Sequence, residues 1–413
     1  MHPVPNTPIL EHFRLLSLPV PNHFNQSMML SASRRLNVFT FKASLGILCQ
    51  YHDMLRAVWD GRQLSVRDAT AANLFHFEEH NLRSSNDINA DILPFCESLQ
   101  SSIDITRGPL MQVAVFHLPD KDAVLMVIHH LVVDGVSWRI IVEDLNRIYS
   151  TLLQGKLSVG LPKRKCSFAE YAQALNGYAE SPELLREEPY WQEVADKIKS
   201  TSEATSGTSD EIAYLPFSLD TVKFRNADTN ALLLTALSRA WKEVMGQDTL
   251  SIALEGHGRE QFGQQPLSLE RLVGWFTTIY PVALIYEDED PGKHVAAVQD
   301  MLRAIPNKGF GYGVLTRIAQ IENLETSPLM TFNYLGSFEE GGSSDSILTI
   351  DNSHPQGSSV SSENKSGSPL AINCAMADGT LAGTLTYDKG VLDDTLAQKL
   401  CEAFISQLKS INE

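Results

Sequence analysis

A length of 413 residues suggests two or three domains, or one large unit with two lobes. The hydrophobic content of 43% is ample for a sizeable core. Its formal net charge is −17. A charge this negative argues against nucleic acid and anionic membranes as partners.

The cysteines and the hydropathy pattern narrow the class of protein further. Five cysteines are scattered along the chain without a CxxC spacing, which favours reduced thiols over a disulfide framework or a zinc site. No apolar run reaches the roughly 18 residues that a membrane span needs. The first residues are polar and rich in proline, unlike a secretion signal. We therefore expect a cytoplasmic protein.

The first half of the chain contains a predicted hairpin followed by a helix. Two apolar runs, residues 111–118 and 123–128, flank a polar turn and predict paired strands. Apolar side chains then recur at helical spacing from Trp138 to Leu152. Gly155 stands where a helix-terminating glycine is expected, and Ser137 is the predicted N-cap.

The run HHLVVDGVSW, residues 129–138, joins that strand to that helix. An imidazole is the side chain best suited to exchange a proton near neutral pH. The strand–loop–helix arrangement predicts that His130 is held on a rigid base. Gly135 would permit close backbone approach or a positive φ.

The chain is predicted to divide into an N-terminal lobe of residues 1–199 and a C-terminal lobe of residues 211–413. Residues 200–210 are small and polar, as is typical of a flexible linker.

The second half repeats the alternation of strands and helices. We expect a strand over residues 212–219 and then a helix capped by Asp228 and ended by Gly246. A further strand over residues 249–254 delivers Glu255 at its end. The remaining expected elements are a strand at 347–351, a hairpin of 371–377 with 380–386, and a helix at 392–411. This order predicts an α/β (α+β) sandwich in two lobes.

Six motifs resemble those of the epimerization branch of the condensation-domain superfamily of nonribosomal peptide synthetases, and they follow one another in the family's order. The resemblance covers nearly the whole chain. The motifs are HFNQS at 23–27, HHLVVDGVSWRIIVEDL at 129–145, EGHGRE at 255–260, VGWFT at 273–277, PNKGFGYG at 306–313 and FNYLG at 332–336.

The resemblance implies a fold and an activity. The fold is the chloramphenicol-acetyltransferase-like fold, with a tunnel between the lobes. The activity is inversion at Cα, from L to D, of an aminoacyl or peptidyl thioester on the phosphopantetheine of a separate carrier domain. It requires no cofactor and no metal, because the thioester already acidifies the Cα–H bond. A downstream condensation domain is the second implied partner, and the chain would be a monomeric unit of a larger synthetase.

The resemblance assigns the acid and base roles to His130 and Glu255, one in each half of the chain. One group removes the Cα proton and a proton returns to the opposite face. A tunnel wall would raise the pKa of Glu255 by desolvation. Asn333 and Tyr334 are implied at the active site, with Tyr334 as a donor to the thioester oxygen or as a proton relay.

Other motif residues are expected to support these groups. His129 would pack inward, and Asp134 would orient its loop through a buried ion pair, with Arg259 as the candidate partner. His257 and Arg259 would orient Glu255. Trp275 would shape the tunnel wall.

Two other functions remain open. A condensation domain, which is an acyltransferase that forms a peptide bond, shares the HHxxxDG motif but is not expected to carry EGHGRE together with FNYLG. A non-catalytic domain that only docks a carrier would not need both His130 and Glu255. A zinc site on His129, His130 and Asp134 would need a further ligand, so we expect no bound metal.

Overall fold

A computed structural model describes residues 1–156, 158–201, 209, 211–220, 228–263, 266–338, 346–365, 367–377 and 379–412. Helices and strands are interspersed along the chain, as the sequence predicts. The helices are α1 (Pro8–Leu16), α2 (Val38–Tyr51), α3 (Ile88–Ser101), α4 (Gly135–Leu153), α5 (Phe168–Tyr178), α6 (Pro182–Leu185), α7 (Glu188–Thr201), α8 (Thr229–Met245), α9 (Pro291–Ala304), α10 (Phe310–Gly313) and α11 (Asp394–Asn412).

The strands confirm both predicted hairpins. They are β1 (His2–Val4), β2 (Asn25–Ala32), β3 (Ala57–Trp59), β4 (Leu64–Val66), β5 (His76–Asn81), β6 (Met111–His117), β7 (Asp122–His129), β8 (Ile212–Leu219), β9 (Thr249–Gly256), β10 (Thr278–Ile285), β11 (Met330–Phe338), β12 (Leu348–Ile350), β13 (Leu370–Ala377) and β14 (Thr380–Asp388).

The first compact unit comprises Met1–Tyr178, Gln261–Phe276 and Gly341–Asn364. Its main sheet has five strands in the order β12-β2-β7-β6-β5. Strands β6 and β7 are buried along their whole length, which explains why their sequences are continuously apolar rather than alternating. α3 packs against both of them. The apolar core therefore fixes the end of β7, where the two adjacent histidines follow.

The second compact unit comprises Ala179–Glu260, Thr277–Glu340 and Lys365–Glu413. Its sheet has six strands in the order β10-β9-β11-β13-β14-β8. α8 and α11 pack together; α8 contacts β9 and β10, and α11 contacts β14 and β8. α8 begins at its predicted cap, because the Asp228 carboxylate accepts the Asn230 N–H bond. It ends at Gly246, which has a φ of 72°.

The two compact units differ from the predicted lobes of residues 1–199 and 211–413. α7 packs on β9 and β10, so it groups with the second unit although it lies before residue 199 in the first predicted lobe. Residues 261–276 contain all of the VGWFT motif except Thr277, and residues 341–364 contain β12; both segments group instead with the first unit. The predicted linker at 200–210 lies mostly outside the described residues.

The cysteines and the helices bear on two further predictions, those of free thiols and of a chain without a membrane span. All five cysteines are buried and none is paired in a disulfide. Across the part of the chain that the structure describes, no helix is both long enough and apolar enough to cross a membrane.

Candidate functional site

His130 follows the last residue of β7 and is held at its backbone and at both ring nitrogens. Its backbone N–H donates to the Phe24 carbonyl at 2.9 Å. Nδ1 lies 2.9 Å from the Val133 carbonyl oxygen, and Nε2 lies 3.1 Å from the Nε2 atom of Gln26. The imidazole therefore has one defined orientation between the loop and β2.

Two aromatic rings cover the His130 imidazole. Phe24 stacks on it with 5.4 Å between ring centroids and 15° between ring planes, and the Trp275 ring lies 4.3 Å away at 34°. Burial among these rings lowers the pKa of His130, because a charged imidazolium loses solvation there. His130 is therefore biased toward its neutral, proton-accepting form.

His129 is fully buried on the other side of the same loop. Its Nδ1 accepts the Leu131 N–H bond at 3.2 Å, so the proton is on Nε2, which donates to the Pro21 carbonyl at 2.8 Å. Burial lowers the pKa of His129 to about 3. This histidine packs inward and is a neutral support for the loop.

Asp134, not the predicted Ser137, is the N-cap of α4. The helix begins at Gly135, and the Asp134 carboxylate accepts the Ser137 N–H bond at 2.8 Å. The Ser137 hydroxyl instead donates to the Gly274 carbonyl at 2.9 Å. The Gly135 expectation also fails, because its φ is not positive and a Cβ there would meet no atom within 4 Å.

The second carboxylate oxygen of Asp134 accepts the Phe276 N–H bond at 3.0 Å. Asp134 is only 5% exposed, so both of these hydrogen bonds are shielded from water. Together they join the start of α4 to the segment that carries Trp275. Arg259, the expected ion-pair partner, belongs to the second unit, and that pair stays a prediction.

Glu255 lies at the end of β9, as predicted from the apolar run before it. Its Oε2 accepts a hydrogen bond at 3.1 Å from Nδ2 of Asn333. The residue keeps accessible surface, yet the surrounding protein displaces enough water to raise the pKa of Glu255 from an ordinary 4.5 to about 7. The Glu255 side chain is exposed within its unit, so a small molecule can reach this carboxyl group.

Strand alternation separates Asn333 from Tyr334. β11 runs parallel to β9 with Phe332 opposite Leu254, so Asn333 and Glu255 share one face of the sheet. Tyr334 is paired with the buried Cys374 and lies on the opposite face, the one that α11 covers. Burial raises the pKa of Tyr334. The structure thus brings Asn333, but not Tyr334, to Glu255.

His257 and Arg259 form a local cluster just beyond Glu255. The His257 Nδ1 accepts the Arg259 backbone N–H bond at 3.0 Å, and its Nε2 lies 3.2 Å from Glu260. Glu260 also pairs with Lys308 at 3.2 Å. These contacts order the segment after β9, and the orienting roles of His257 and Arg259 toward Glu255 stay predictions.

Three residues at this site were not predicted to be functional from the sequence: Gln26, Phe24 and Trp138. Gln26 and Phe24 belong to the HFNQS motif, which was the available signal. The Trp138 indole N–H donates to Gln26 Oε1 at 2.9 Å, a contact that helical periodicity does not reveal. Among the described residues, no group of three or more His, Cys, Asp or Glu side chains is arranged to hold a metal ion.

Replacing Asp134 with alanine is expected to lower the free energy of unfolding by at least about 2 kcal/mol. The variant loses a helix cap, worth about 1 kcal/mol, and leaves the buried Phe276 N–H without this acceptor, at about 1–3 kcal/mol. Asp87→Ala is the matched control, because Asp87 caps α3 through the Ala90 N–H bond and is exposed. Urea unfolding should show a cost of about 1 kcal/mol for this control. Equal costs in the two variants would refute a stabilising role for the hydrogen bond between Asp134 and Phe276.

The Glu255 carboxyl group should titrate near pH 7. Carbon-13 NMR of glutamate-labelled protein measures this directly, and Glu255→Gln identifies the signal. Since the pKa is about 7 when folded and near 4.5 in water, ionisation costs stability as the pH rises between those values. Glu255→Gln should remove that fall, and a midpoint near 4.5 would contradict the assignment.

Comparison with known proteins gives matches along nearly the whole chain. The condensation-domain family matches residues 12–413. Surfactin synthase subunit 1 of Bacillus subtilis (strain 168) is 35% identical, over 98% of this chain and 12% of that protein. Bacitracin synthase 3 of Bacillus licheniformis is 33% identical, over 98% of this chain and 7% of that protein. The chain therefore spans a small fraction of the length of these relatives.

Solved structures show the same fold. The epimerization domain from the third module of tyrocidine synthetase B is 32% identical with a TM-score of 0.88, and the alignment covers 99% of this chain and 97% of that one. The starter condensation domain of rhizomide synthetase is 15% identical with a TM-score of 0.74, over 100% and 96% of the two chains. The chloramphenicol-acetyltransferase-like α/β fold is thereby confirmed, while the tunnel stays a prediction. The family match from residue 12 to the last residue shows that this chain belongs to the condensation-domain family.

Proposed function

We propose that this chain inverts the Cα configuration of an aminoacyl or peptidyl thioester, carried on the phosphopantetheine of a separate carrier domain, without a cofactor. The observation that carries the proposal is Glu255, a reachable carboxyl group whose pKa of about 7 lets it both accept and donate a proton at neutral pH. The likeness to the tyrocidine synthetase epimerization domain supports the same assignment.

The reaction needs only proton transfers at one carbon. A base takes the Cα proton, and the electron pair of the broken C–H bond moves into an enolate that the thioester carbonyl stabilises. A proton then returns to the other face of Cα and re-forms the C–H bond. No oxidation occurs and no group leaves, so the residues must supply one base, one acid and an oriented substrate.

In the two-base form of the proposal, His130 serves one face of Cα and Glu255 serves the other. The low pKa of His130 and the raised pKa of Glu255 favour a neutral imidazole with a carboxyl group that is partly protonated near pH 7. That combination is one base and one acid. The Asn333 amide fixes one carboxylate oxygen of Glu255 and leaves the other for the substrate.

The proposed partners follow from the substrate. The carrier domain delivers the thioester, and a downstream condensation domain receives the inverted residue. The curated relatives are several times longer than this chain, which supports a role as one domain of a larger synthetase.

Peptide-bond formation is the second candidate function, because the family match and the HHxxxDG motif are shared with condensation domains. An acyl transfer would use the His130 imidazole but gives no role to a Glu255 carboxyl group of pKa about 7. Incubation with a donor thioester and an aminoacyl acceptor on a second carrier separates the two. A new amide bond supports condensation, whereas a change of Cα configuration in the donor alone supports epimerization.

Glu255→Gln should abolish inversion in both directions. Glutamine keeps the shape and the position beside Asn333 but cannot exchange the proton. The measurement is chiral chromatography of the hydrolysed thioester after incubation in deuterium oxide, starting from the L and from the D form. Deuterium should enter Cα with wild type from both forms, and His130→Ala should lose the exchange step on one face only.

The matched control is Glu211→Gln, which makes the same change at an exposed glutamate paired with Lys389 in the same unit. It should invert the substrate at the wild-type rate. Full inversion by Glu255→Gln would refute the proposal. Exchange from both enantiomers in His130→Ala without product formation would make His130 an electrostatic stabiliser instead of a base.

Turnover should depend on the carrier. The free amino acid has an ionised carboxylate, which makes its Cα–H bond far less acidic than that of a thioester. We expect no racemisation of the free amino acid and ready inversion of the same residue on a phosphopantetheinyl carrier. The control is the carrier with the residue held as an amide, which should not react. Rapid racemisation of the free amino acid would overturn the substrate class.

A further inference from the structure

We propose that Gln26, itself fixed by Trp138, is a positioning residue that holds His130 as the neutral tautomer with its proton on Nδ1. Nε2 of His130 is then the unprotonated ring nitrogen, and its lone pair accepts the hydrogen bond from Gln26. The residues involved lie on β2, on the loop after β7 and on α4, all in the first unit.

The tautomer follows from a chain of three hydrogen bonds. The Trp138 indole N–H can only donate, and it lies 2.9 Å from Gln26, so the amide atom it meets is the oxygen Oε1. The amide NH2 group of Gln26 must then face His130, where it donates to Nε2 across 3.1 Å. A nitrogen that accepts a hydrogen bond carries no proton. The His130 proton is therefore on Nδ1, and it donates to the Val133 carbonyl at 2.9 Å.

These hydrogen bonds from Trp138 through Gln26 to His130, called the relay below, also disfavour the protonated imidazolium. A proton on Nε2 would point at the NH2 group of Gln26, so two donors would face each other. Turning the amide over would satisfy His130, but it would place the NH2 group against the Trp138 indole N–H. Either arrangement leaves a part-buried donor without an acceptor, which is costly. Trp138 thus favours the neutral form of the His130 ring through its contact with Gln26.

The charged and titratable groups near His130 are few in the described part of this unit. Asp134, on the same loop, favours the imidazolium. His129 is neutral because burial lowers its pKa to about 3, and His23 is a neighbour of His129. The side chains that contact the ring are neutral, namely Phe24, Gln26 from β2, and Trp275, and Trp138 from α4 contacts Gln26.

Burial and the relay therefore both favour the neutral form of His130, whereas Asp134 favours its charged form. The catalytic meaning of this inference rests on the proposed function: at neutral pH His130 would begin each cycle as the base. The tautomer and its pKa do not rest on the proposed function, since both are properties of the resting protein.

The first test needs no variant. Protein labelled with nitrogen-15 in histidine should show His130 at neutral pH with a pyrrole-like shift at Nδ1 and a pyridine-like shift at Nε2; His130→Ala identifies the signals. His129 should show the opposite tautomer, with its proton on Nε2, and serves as the internal reference. A proton on Nε2 of neutral His130 would overturn the proposal.

Gln26→Glu should raise the pKa of His130 by at least one unit, which is a tenfold change in proton affinity. A glutamate can accept from the Trp138 indole with one oxygen and from a protonated Nε2 with the other. Trp138→Phe should raise the pKa of His130 by less, because the freed amide can turn over. Gln26→Met, which only removes the donor, should also raise it.

The matched controls change the same pair of side chains elsewhere. In α8 the Trp241 indole N–H donates to Gln247 Oε1 at 3.2 Å. Gln247→Glu and Trp241→Phe should leave the His130 shifts and pKa unchanged. An unchanged pKa in a folded Gln26→Glu protein would overturn the relay.

Turnover provides a readout that separates positioning from simple structural support. If the chain epimerizes, the acid limb of the pH profile of kcat/KM should move upward with the His130 pKa in Gln26→Glu, and KM should stay close to wild type. A parallel loss of activity at all pH values, with the NMR pKa unmoved, would contradict the relay. An inactive wild type with the expected NMR shifts would instead contradict only the proposed function.

Discussion

The carboxylate of Asp134 connects two stretches of chain that are 142 residues apart in sequence. One oxygen accepts from the first turn of α4, and the other accepts from the backbone of Phe276. Both acceptors are needed, because a buried N–H group without a partner costs more than a hydrogen bond contributes. The neighbour of Phe276 is Trp275, whose ring packs on His130. The position of the imidazole between its two rings thus depends on the backbone hydrogen bonds that Asp134 accepts.

Burial shifts the pKa values of both candidate proton carriers, but different contacts orient the two groups. His130 is oriented by hydrogen bonds at each ring nitrogen and by two aromatic rings. Glu255 is oriented by the Asn333 amide. Desolvation raises the pKa of a carboxylic acid and lowers that of an imidazole. The same physical effect therefore moves the two pKa values in opposite directions and favours a neutral imidazole together with a carboxyl group that is partly protonated near pH 7.

Local patterns predicted the elements that deliver these residues. The strand at Ile212–Leu219 has the predicted bounds, and α8 begins after Asp228 and ends before Gly246 as expected. Such features depend on neighbours a few residues away, so periodicity and capping chemistry reveal them. The position of Glu255 next to the last residue of β9 could be predicted for the same reason.

Contacts between distant segments could not be predicted in this way. Ser137 looked like the cap of α4 because the periodic pattern begins at Trp138, but the helix starts earlier and the serine hydroxyl bonds to Gly274. The placement of Tyr334 could have been predicted, because alternation along a strand puts neighbouring side chains on opposite faces of the sheet. The resemblance grouped it with Asn333, whereas the register with Cys374 separates them. The Gln26 amide gave no signal of its own, because its role depends on a helix more than a hundred residues away.

The short strand β12 has a consequence for dividing or recombining this chain. It pairs with β2 and forms one edge of the sheet in the first unit, yet it lies at residues 348–350. A fragment ending near Tyr178 would lose this strand and expose the hydrogen-bonding edge of β2, which invites aggregation. It would also lose the segment held by Asp134. Any division or exchange of this unit should therefore keep residues 348–350 together with residues 25–32.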